Sequence, residues 1–196
     1  MSHDTDLLIA TSIQESIRVK QALLAARPVM SLIAAVAGEF VLALRHGHKI
    51  LLFGNGGSAA DAQHIAAEFV GRFQMERTPL AALALTTNTS ALTGIGNDYG
   101  YENVFARQVE ALGTAGDVAV GITTSGKSPN VLKALAAAKA KGLVTVALTG
   151  RNGSQLQEVS RYCICVPADT TPRIQESHVL IGHILSQIVE MELFDK

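Results

Sequence analysis

The sequence predicts an α/β fold, a three-layer αβα sandwich in which helices cover both faces of a central, mostly parallel sheet. Three observations support this prediction. An apolar run, a turn rich in glycine, serine or threonine, and a helical segment follow one another three times along the chain. Apolar residues at helical spacing precede the first of these runs, and a long amphipathic segment ends the chain. No linker or low-complexity tract interrupts the 196 residues, so we expect one domain over residues 1–196.

The chain begins with two predicted helices. Apolar residues recur at helical spacing over residues 6–26, and Pro28 ends or kinks this first helix. A second helix is predicted over residues 30–45. We expect this segment, about residues 5–46, to cover the domain or to pack across subunits.

Three strand–turn–helix units follow, over residues 49–73, 117–141 and 143–159. Two further strands are predicted, at residues 80–86 and 161–166. Strands that alternate with helices pair in parallel through right-handed crossovers. Ligands of such sheets bind beyond the carboxyl ends of the strands, where all three turns are expected to lie.

Composition and charge exclude several classes of protein. Hydrophobic residues make up 48% of the chain and charged residues 17%, which argues against disorder. The formal net charge of −1 gives no long-range attraction for nucleic acid or for an anionic membrane. The first residues do not have the pattern of a signal peptide, so we expect a cytoplasmic protein. We also expect its two cysteines, Cys163 and Cys165, to lie on opposite faces of a strand without a disulfide.

The first turn, Gly54–Ser58, joins an apolar run to a helix and has the character of a phosphate-binding turn. Glycines allow the backbone to approach a ligand closely, and a helix N-terminus favours anions. Ser58 is predicted to cap the helix, with Asp61 completing a capping box. His64 and Glu68 lie four residues apart and therefore project from the same face of this helix, where they are candidates for metal binding or proton transfer.

The second turn is the stronger candidate for a phosphate site. Residues 123–130 place four hydroxyl groups and Lys127 between an apolar strand and a helix that starts at Ser128 and Pro129. The alternative is an ordinary polar loop in which Ser128 only caps the helix. The order of residues does not match a Walker A loop. The third turn, residues 149–154, is interpreted as a connection closed by two glycines.

The C-terminal helix, predicted over residues 172–194 with Thr171 as its N-cap, carries three further polar candidates, Gln175, His178 and His183. Gln175 and His183 are separated by about 12 Å along the axis and about 80° around it. They can converge only on a point between them, and spacing alone does not choose between His183 and His178.

A polar loop is predicted at residues 94–100. Its Asn97 and Asp98 are either structural turn residues or contacts for sugar hydroxyls.

Together these motifs resemble the sugar isomerase (SIS) domain family, and within it the phosphoheptose isomerases, also called sedoheptulose 7-phosphate isomerases. The resemblance covers essentially the whole chain. It is carried by the following motifs: Gly54-Asn55-Gly56-Gly57-Ser58 with Asp61, His64 and Glu68; Gly96-Asn97-Asp98; Thr124-Ser125-Gly126-Lys127-Ser128; Leu148-Thr149-Gly150; and Arg173-Ile174-Gln175-Glu176 with Gly182-His183.

The resemblance implies an SIS fold and a cytoplasmic homotetramer. It implies interconversion of sedoheptulose 7-phosphate and D-glycero-D-manno-heptose 7-phosphate, an early step toward the heptose of bacterial lipopolysaccharide. Ketose-to-aldose conversion through an enediol requires a base and an acid, and the resemblance assigns these roles to Glu68 and His183. The positions that match the family's zinc ligands are His64, Glu68, Gln175 and His183, one Zn²⁺ per subunit. The positions that match its substrate-binding residues are Asn55, Gly56, Gly57, Glu68, Asn97, Asp98, Thr123, Thr124, Ser125, Ser128 and Gln175.

One departure concerns Thr123, where serine is common among relatives; the hydroxyl group is retained. The main alternative function is that of a non-catalytic SIS-domain adaptor that binds the replication initiator protein. That relative lacks the carboxylate and the imidazole that Glu68 and His183 provide here. A sugar-phosphate sensor, which binds without reacting, would likewise need no acid and base pair.

Overall fold

A five-stranded parallel sheet forms the centre of the computed structural model, which describes residues 3–195. The strands are ordered β2-β1-β3-β4-β5 across the sheet, and each neighbouring pair is parallel. The α/β class and the parallel sheet predicted from the sequence are therefore confirmed. In chain order the strands are β1 (Ile50–Gly54), β2 (Ala82–Ala84), β3 (Val118–Thr123), β4 (Val144–Thr149) and β5 (Tyr162–Cys165).

Helices cover both faces of this sheet and bury an apolar core against each. The first two and the last helix share one face with the helix that follows β1, and the remaining helices cover the other face. The helices are α1 (His3–Ala25), α2 (Arg27–Arg45), α3 (Gly57–Val70), α4 (Thr89–Tyr99), α5 (Ala106–Leu112), α6 (Pro129–Ala140), α7 (Ser154–Val159) and α8 (Thr171–Phe194), with a 3-10 turn at Tyr101–Asn103. The N-terminal helices and the long C-terminal helix agree with the prediction.

The strand order reverses between β1 and β3. Leu52 of β1 pairs with Ala84 of β2 on one side and with Val120 of β3 on the other, so the two strands that follow β1 in the chain lie on opposite sides of it. A crevice opens at such a switch point, beyond the carboxyl ends of the two strands. The turns that follow Gly54 and Thr123 meet at this crevice.

Helix α2 is the one helix among the described residues that is long and apolar enough to span a membrane by length and composition alone. Its buried residues pack into the core that covers the sheet, and they lie on one side of the helix: Ile33, Val36, Ala37, Phe40, Val41 and Ala43. This one-sided burial identifies α2 as a core helix.

The predicted loop at residues 94–100 is wrong, because most of it belongs to α4. The side chain of Asn88 caps this helix by accepting a hydrogen bond from the backbone N–H of Ala91 (3.0 Å). The helix continues through two glycines and ends only at Gly100, whose φ of +87° suits a residue without a Cβ. Asn97 and Asp98 therefore occupy the last turn of a helix.

The predicted orientation of the two cysteines is also wrong. Residues two apart on a strand point to the same face, and the Sγ atoms of Cys163 and Cys165 lie 3.7 Å apart on β5. Both thiols are free in the structure.

Candidate active site

The hydroxyl loop, residues 123–128, lines a small cavity beyond β3. The cavity has a volume of about 130 Å³, and Asn55 and Ser58 of the β1 turn complete its wall. The Oγ1 of Thr123 lies 3.0 Å from the Oγ of Ser128 and 3.4 Å from the Oγ of Ser125. Helix α6 starts directly after Ser128 and points its free backbone N–H groups toward this loop. Hydroxyl donors beside a helix N-terminus form a site suited to a phosphate group.

Asn55 joins the glycine turn to the hydroxyl loop. Its side-chain amide exchanges two hydrogen bonds of 2.8 Å with that of Asn130 in the first turn of α6. The hydroxyl of Tyr101 donates a further hydrogen bond to the Asn55 side-chain oxygen (3.2 Å). The structure thus brings Asn55 and the hydroxyl loop together, as the sequence-based hypothesis required.

His64, Glu68 and His183 form a cluster of possible metal ligands. Their ligand atoms all lie within 4.8 Å of one another. Nε2 of His64 is 2.8 Å from Nε2 of His183 and 3.4 Å from Oε1 of Glu68. Two imidazoles and one carboxylate are a donor set that zinc accepts in catalytic sites, and ligands about 2.0–2.1 Å from a tetrahedral zinc ion lie about 3.3 Å apart. The separations of 2.8 and 3.4 Å lie on either side of this value, so a small movement of the imidazoles would let the three groups bind one such ion.

Gln175 approaches the start of α3 rather than this cluster's centre. Its side-chain amide contacts the position that a Cβ on Gly57 would occupy, so the glycine leaves space for it. Its Nε2 donates a long hydrogen bond of 3.4 Å to Oδ1 of Asp61. Gln175 of α8 therefore contacts the first turns of α3.

Asp61 has a different role from the one its sequence position suggested. The side chain is buried, its Oδ2 has no hydrogen-bond partner, and no side chain caps α3, which begins at Gly57 with Gly56 in the cap position. The predicted capping box of Ser58 and Asp61 is therefore wrong. Burial raises the pKa of the Asp61 carboxyl, against the opposing effects of Gln175 and His64. Asp61, which belongs to the same family motif as His64 and Glu68, thus lies beside Gln175.

Helices α3 and α8 run side by side in the same direction, which allows their histidines to meet. A Cβ on Gly182 would lie 2.6 Å from Cδ1 and Cγ1 of Ile65, so this glycine permits close packing of the two helices. The next residue on α8 is His183, and the residue before Ile65 is His64. The close approach of the backbones therefore brings the two imidazoles together.

A segment after α3 covers the far side of His183. The ring of Phe73 stacks on His183 with centroids 5.3 Å apart and an interplanar angle of 27°. The Oε1 of Glu190 accepts hydrogen bonds from the Phe73 backbone N–H and from Nε of Arg77, both 2.8 Å, and both charged side chains are almost fully buried. The sequence contains no local signal for this ion pair between residues more than a hundred positions apart.

His178, the competing candidate on α8, is fully buried. Neither ring nitrogen meets hydrogen-bond geometry, although the Thr149 backbone lies nearby. Burial lowers the pKa of His178 to about 4, so the ring is neutral. The geometry groups His183, and not His178, with His64 and Glu68.

Asn97 and Asp98 are not brought into the hydroxyl-loop cavity. Nδ2 of Asn97 donates to Oδ1 of Asp98 (2.8 Å), and Asp98 lines a separate cavity with Asn88, Tyr99 and Arg107. This segment is helical, whereas the sequence-based prediction had treated it as a loop.

Comparisons with known proteins agree with this fold. Residues 14–150 match the model of the SIS domain family. The chain is 54% identical over 186 residues to a phosphoheptose isomerase of Aneurinibacillus thermoaerophilus (95% of this chain, 94% of the relative). It is 56% identical over 182 residues to phosphoheptose isomerase 2 of Campylobacter jejuni (93% and 90%). A solved phosphoheptose isomerase structure from Francisella tularensis superposes with a TM-score of 0.91 at 38% identity, covering 97% of this chain and all of that one.

The parallel sheet, its switch-point crevice and the matching family model define an SIS-domain protein. Within this class, the chain is more than 50% identical to two phosphoheptose isomerases over nearly the full length of both chains. The chain belongs to the phosphoheptose isomerase family.

Proposed function

We propose that this chain is a phosphoheptose isomerase that interconverts sedoheptulose 7-phosphate and D-glycero-D-manno-heptose 7-phosphate in heptose biosynthesis. The observation that carries the proposal is the cluster of His64, Glu68 and His183 within 4.8 Å, beside a hydroxyl loop that suits a phosphate. The close similarity to phosphoheptose isomerases over nearly the whole chain supports the substrate.

The proposed reaction moves one proton between adjacent carbons through an enediol. Glu68 removes the proton from C1 of the ketose while His183 donates a proton to the carbonyl oxygen on C2. Return of a proton to C2 and loss of the hydroxyl proton from O1 give the aldose. Nε2 of His64 lies 3.4 Å from Oε1 of Glu68, which is close enough to influence the carboxylate electrostatically while Glu68 accepts the proton.

We propose that His64, Glu68, Gln175 and His183 hold one Zn²⁺ ion in each subunit. When bound, the ion would stabilise negative charge on the substrate oxygens. The spacing of the two imidazoles and the carboxylate supports this assignment, whereas Gln175 rests on the family resemblance and on its place between the helices. Bound to the ion, the Glu68 carboxylate would be a weaker base than when it is free.

The remaining substrate contacts follow from the same reasoning. Thr123, Thr124, Ser125 and Ser128 hold the phosphate, with Asn55, Gly56, Gly57, Glu68 and Gln175 along the sugar. For Asn97 and Asp98 the family resemblance is the sole support.

We further propose that residues 1–196 form one SIS domain, and that four chains assemble into a cytoplasmic tetramer. Helix α1 exposes large apolar side chains, and at least half of each of the following is accessible: Leu7, Leu8, Ile9, Ile13, Ile17 and Leu24. The last four project from one side of the helix, and an exposed apolar stripe of this kind is typical of a protein interface. Light scattering on Ile13→Glu should show a smaller assembly than the wild-type chain.

The test of function is turnover of sedoheptulose 7-phosphate by wild type and by Glu68→Gln. We expect the variant to lose about 10²–10⁴-fold in kcat, because the amide cannot accept the proton. The matched control is Glu76→Gln, since the Glu76 side chain is 90% exposed and lies eight residues further along the chain. Normal oligomeric state in both variants excludes a folding effect.

A wild-type chain that fails to turn over the substrate but captures the replication initiator protein would contradict the enzyme proposal and support the adaptor. Removal of metal by a chelator, followed by addition of Zn²⁺, tests the cofactor separately. Full activity after chelation, with zinc absent by elemental analysis, would refute the zinc assignment.

A further inference from the structure

The two cysteines of β5 form a close pair that the proposed reaction does not use. Their sulfur atoms are 3.7 Å apart, both side chains are partly buried, and both thiols are free. Among the described residues β5 is an edge strand that pairs with β4 alone, so its backbone is restrained on one side.

The sulfur pair lies against the start of α7. A Cβ on Gly153 would lie 3.4 Å from Sγ of Cys165 and 3.5 Å from Sγ of Cys163. These are ordinary van der Waals distances, and the carbonyl oxygen of Gly153 itself lies 3.9 Å from Sγ of Cys163. The turn at Gly153 therefore contacts the sulfur pair, and a large change in the sulfur positions would disturb this contact.

The same turn also contacts the hydroxyl loop. A Cβ on Gly126 would lie 2.8 Å from the carbonyl oxygen of Asn152 and 3.1 Å from Cα of Gly153. Residues 152 and 153 thus separate the cysteine pair from the hydroxyl loop by a single layer of backbone.

The environment of the pair favours oxidation. A hydrogen bond from the Cys163 thiol lowers the pKa of Cys165 to about 7, against the opposing effect of burial, so part of Cys165 is thiolate at neutral pH. By contrast, the interaction with Cys165 raises the pKa of the Cys163 thiol. Cys165 is therefore the nucleophile, and Cys163 is placed to attack the sulfenic acid that forms on Cys165.

We propose that Cys163 and Cys165 are a peroxide-sensitive dithiol whose oxidation to a disulfide weakens phosphate binding at the hydroxyl loop. The oxidant is a hydroperoxide. The Cys165 thiolate attacks the peroxide oxygen, the O–O bond breaks, and water leaves after protonation, with Cys165 as a sulfenic acid. Cys163 then attacks the sulfenic sulfur, forming the S–S bond and releasing a second water. Two thiols are oxidised and one hydrogen peroxide is reduced to two waters.

Closure of the disulfide requires movement of the backbone. The sulfurs must approach by about 1.7 Å to reach a bond of about 2.05 Å. Residues two apart on an extended strand have Cα atoms about 6.6–6.8 Å apart, at the upper limit for a disulfide. β5 must therefore bend, and Gly153 and the hydroxyl loop move with it. This consequence rests on the proposed role of the hydroxyl loop in phosphate binding.

The experiment compares reduced and peroxide-treated enzyme by intact mass, by the KM for sedoheptulose 7-phosphate and by calorimetric binding of inorganic phosphate. Oxidised wild type should lose about 2 Da per chain and bind phosphate about tenfold more weakly, equivalent to one lost hydrogen bond to a charged group. Dithiothreitol should reverse both changes. The Cys163→Ser/Cys165→Ser variant should show neither change, and this control also accounts for oxidation of methionine or of the histidine cluster.

Absence of the mass loss in treated wild type would refute the dithiol. A disulfide that forms without any change in phosphate affinity would refute its coupling to the site. A reduced enzyme that neither binds phosphate nor turns over the sugar phosphate would overturn the proposed function and the coupling together. In that case the mass measurement would still decide whether the disulfide forms.

Discussion

Replacement of Glu190 by glutamine tests how the segment after α3 is held against the site. The carboxylate is 2% exposed and pairs with Arg77, whose side chain is 1% exposed, at 2.8 Å. Its two oxygens also accept the backbone N–H groups of Phe73, Gln74 and Met75 at 2.8–3.1 Å. In Glu190→Gln, an NH₂ group faces N–H donors in place of one oxygen. The guanidinium then remains buried without a counter-charge.

The expected loss of stability follows from this burial. Removal of one partner of a buried ion pair costs about 3–5 kcal/mol. Urea denaturation at fixed protein concentration measures the difference, since the apparent stability of an oligomer depends on concentration. Glu192→Gln, two residues along α8 and exposed, is the matched control and should change stability by less than about 0.5 kcal/mol. A loss below about 1 kcal/mol in Glu190→Gln, or an equal loss in the control, would refute the reasoning.

The dependence on pH provides a second readout of the same pair. Burial raises the pKa of Glu190, but the N–H donors of residues 73–75 and Arg77 outweigh it, so the folded pKa lies below the ordinary value. A depressed carboxyl pKa contributes stability above the unfolded pKa of about 4.3, and that stability is lost as the pH falls through the folded pKa. The difference between wild type and Glu190→Gln should therefore shrink as the pH falls below about 4.3.

Loss of the pair should also slow the reaction. Phe73 stacks on His183, and Nη2 of Arg77 donates to the backbone oxygen of Glu68 at 2.7 Å. Release of this segment should lower kcat with little change in KM, because the phosphate contacts lie elsewhere. Phe73→Tyr should retain more activity than Phe73→Ala, since it preserves the stacked ring.

Three further outcomes are expected. Ser128→Ala should raise KM about tenfold with kcat nearly unchanged, because it removes one hydroxyl contact to the phosphate; a fall in kcat alone would argue against a binding role. Gly57→Ala should lower activity, because its Cβ would overlap the Gln175 amide, and thermal denaturation will separate this from unfolding. Gly182→Ala should reduce zinc affinity, measured by competition with a chromogenic chelator, because its Cβ would press on Ile65 and separate the histidines. Gly38→Ala is a control without steric conflict, and an equal effect there would contradict both glycine predictions.

The architecture could be predicted because its signals are local. Each unit of apolar strand, polar turn and helix lies within about 25 residues, and alternation of strands and helices permits few topologies. The hydroxyl loop could be predicted for the same reason, because Thr123 ends a strand and Ser128, five residues later, precedes a helix. The failure at residues 94–100 has a local cause too, because the cap at Asn88 outweighs the glycines within α4.

The histidine cluster could not be chosen from spacing, because it depends on how α8 is rotated against α3. His178 and His183 are five residues apart and project about 140° from each other around the helix axis. Contact between Gly182 and Ile65 decides which of them faces His64. The resemblance to a family selected His183, and the packing gives the physical reason. Glu190 and Arg77 were missed because their pairing is visible only after α8 and the segment that follows α3 are both in place.

Helix α3 also sets the distance between the two parts of the proposed site. It carries Ser58 at the hydroxyl-loop cavity and His64 in the donor cluster. Six residues of α-helix rise about 9 Å. An extended seven-carbon chain, at about 1.25 Å per bond along its axis, measures about 7.5 Å between its ends. We expect that a heptose phosphate held at the hydroxyl loop reaches the donor cluster and that a sugar two carbons shorter, by about 2.5 Å, does not. Steady-state kinetics should then show a lower kcat/KM for pentose phosphates than for sedoheptulose 7-phosphate, and equal values would refute this role of the spacing along α3.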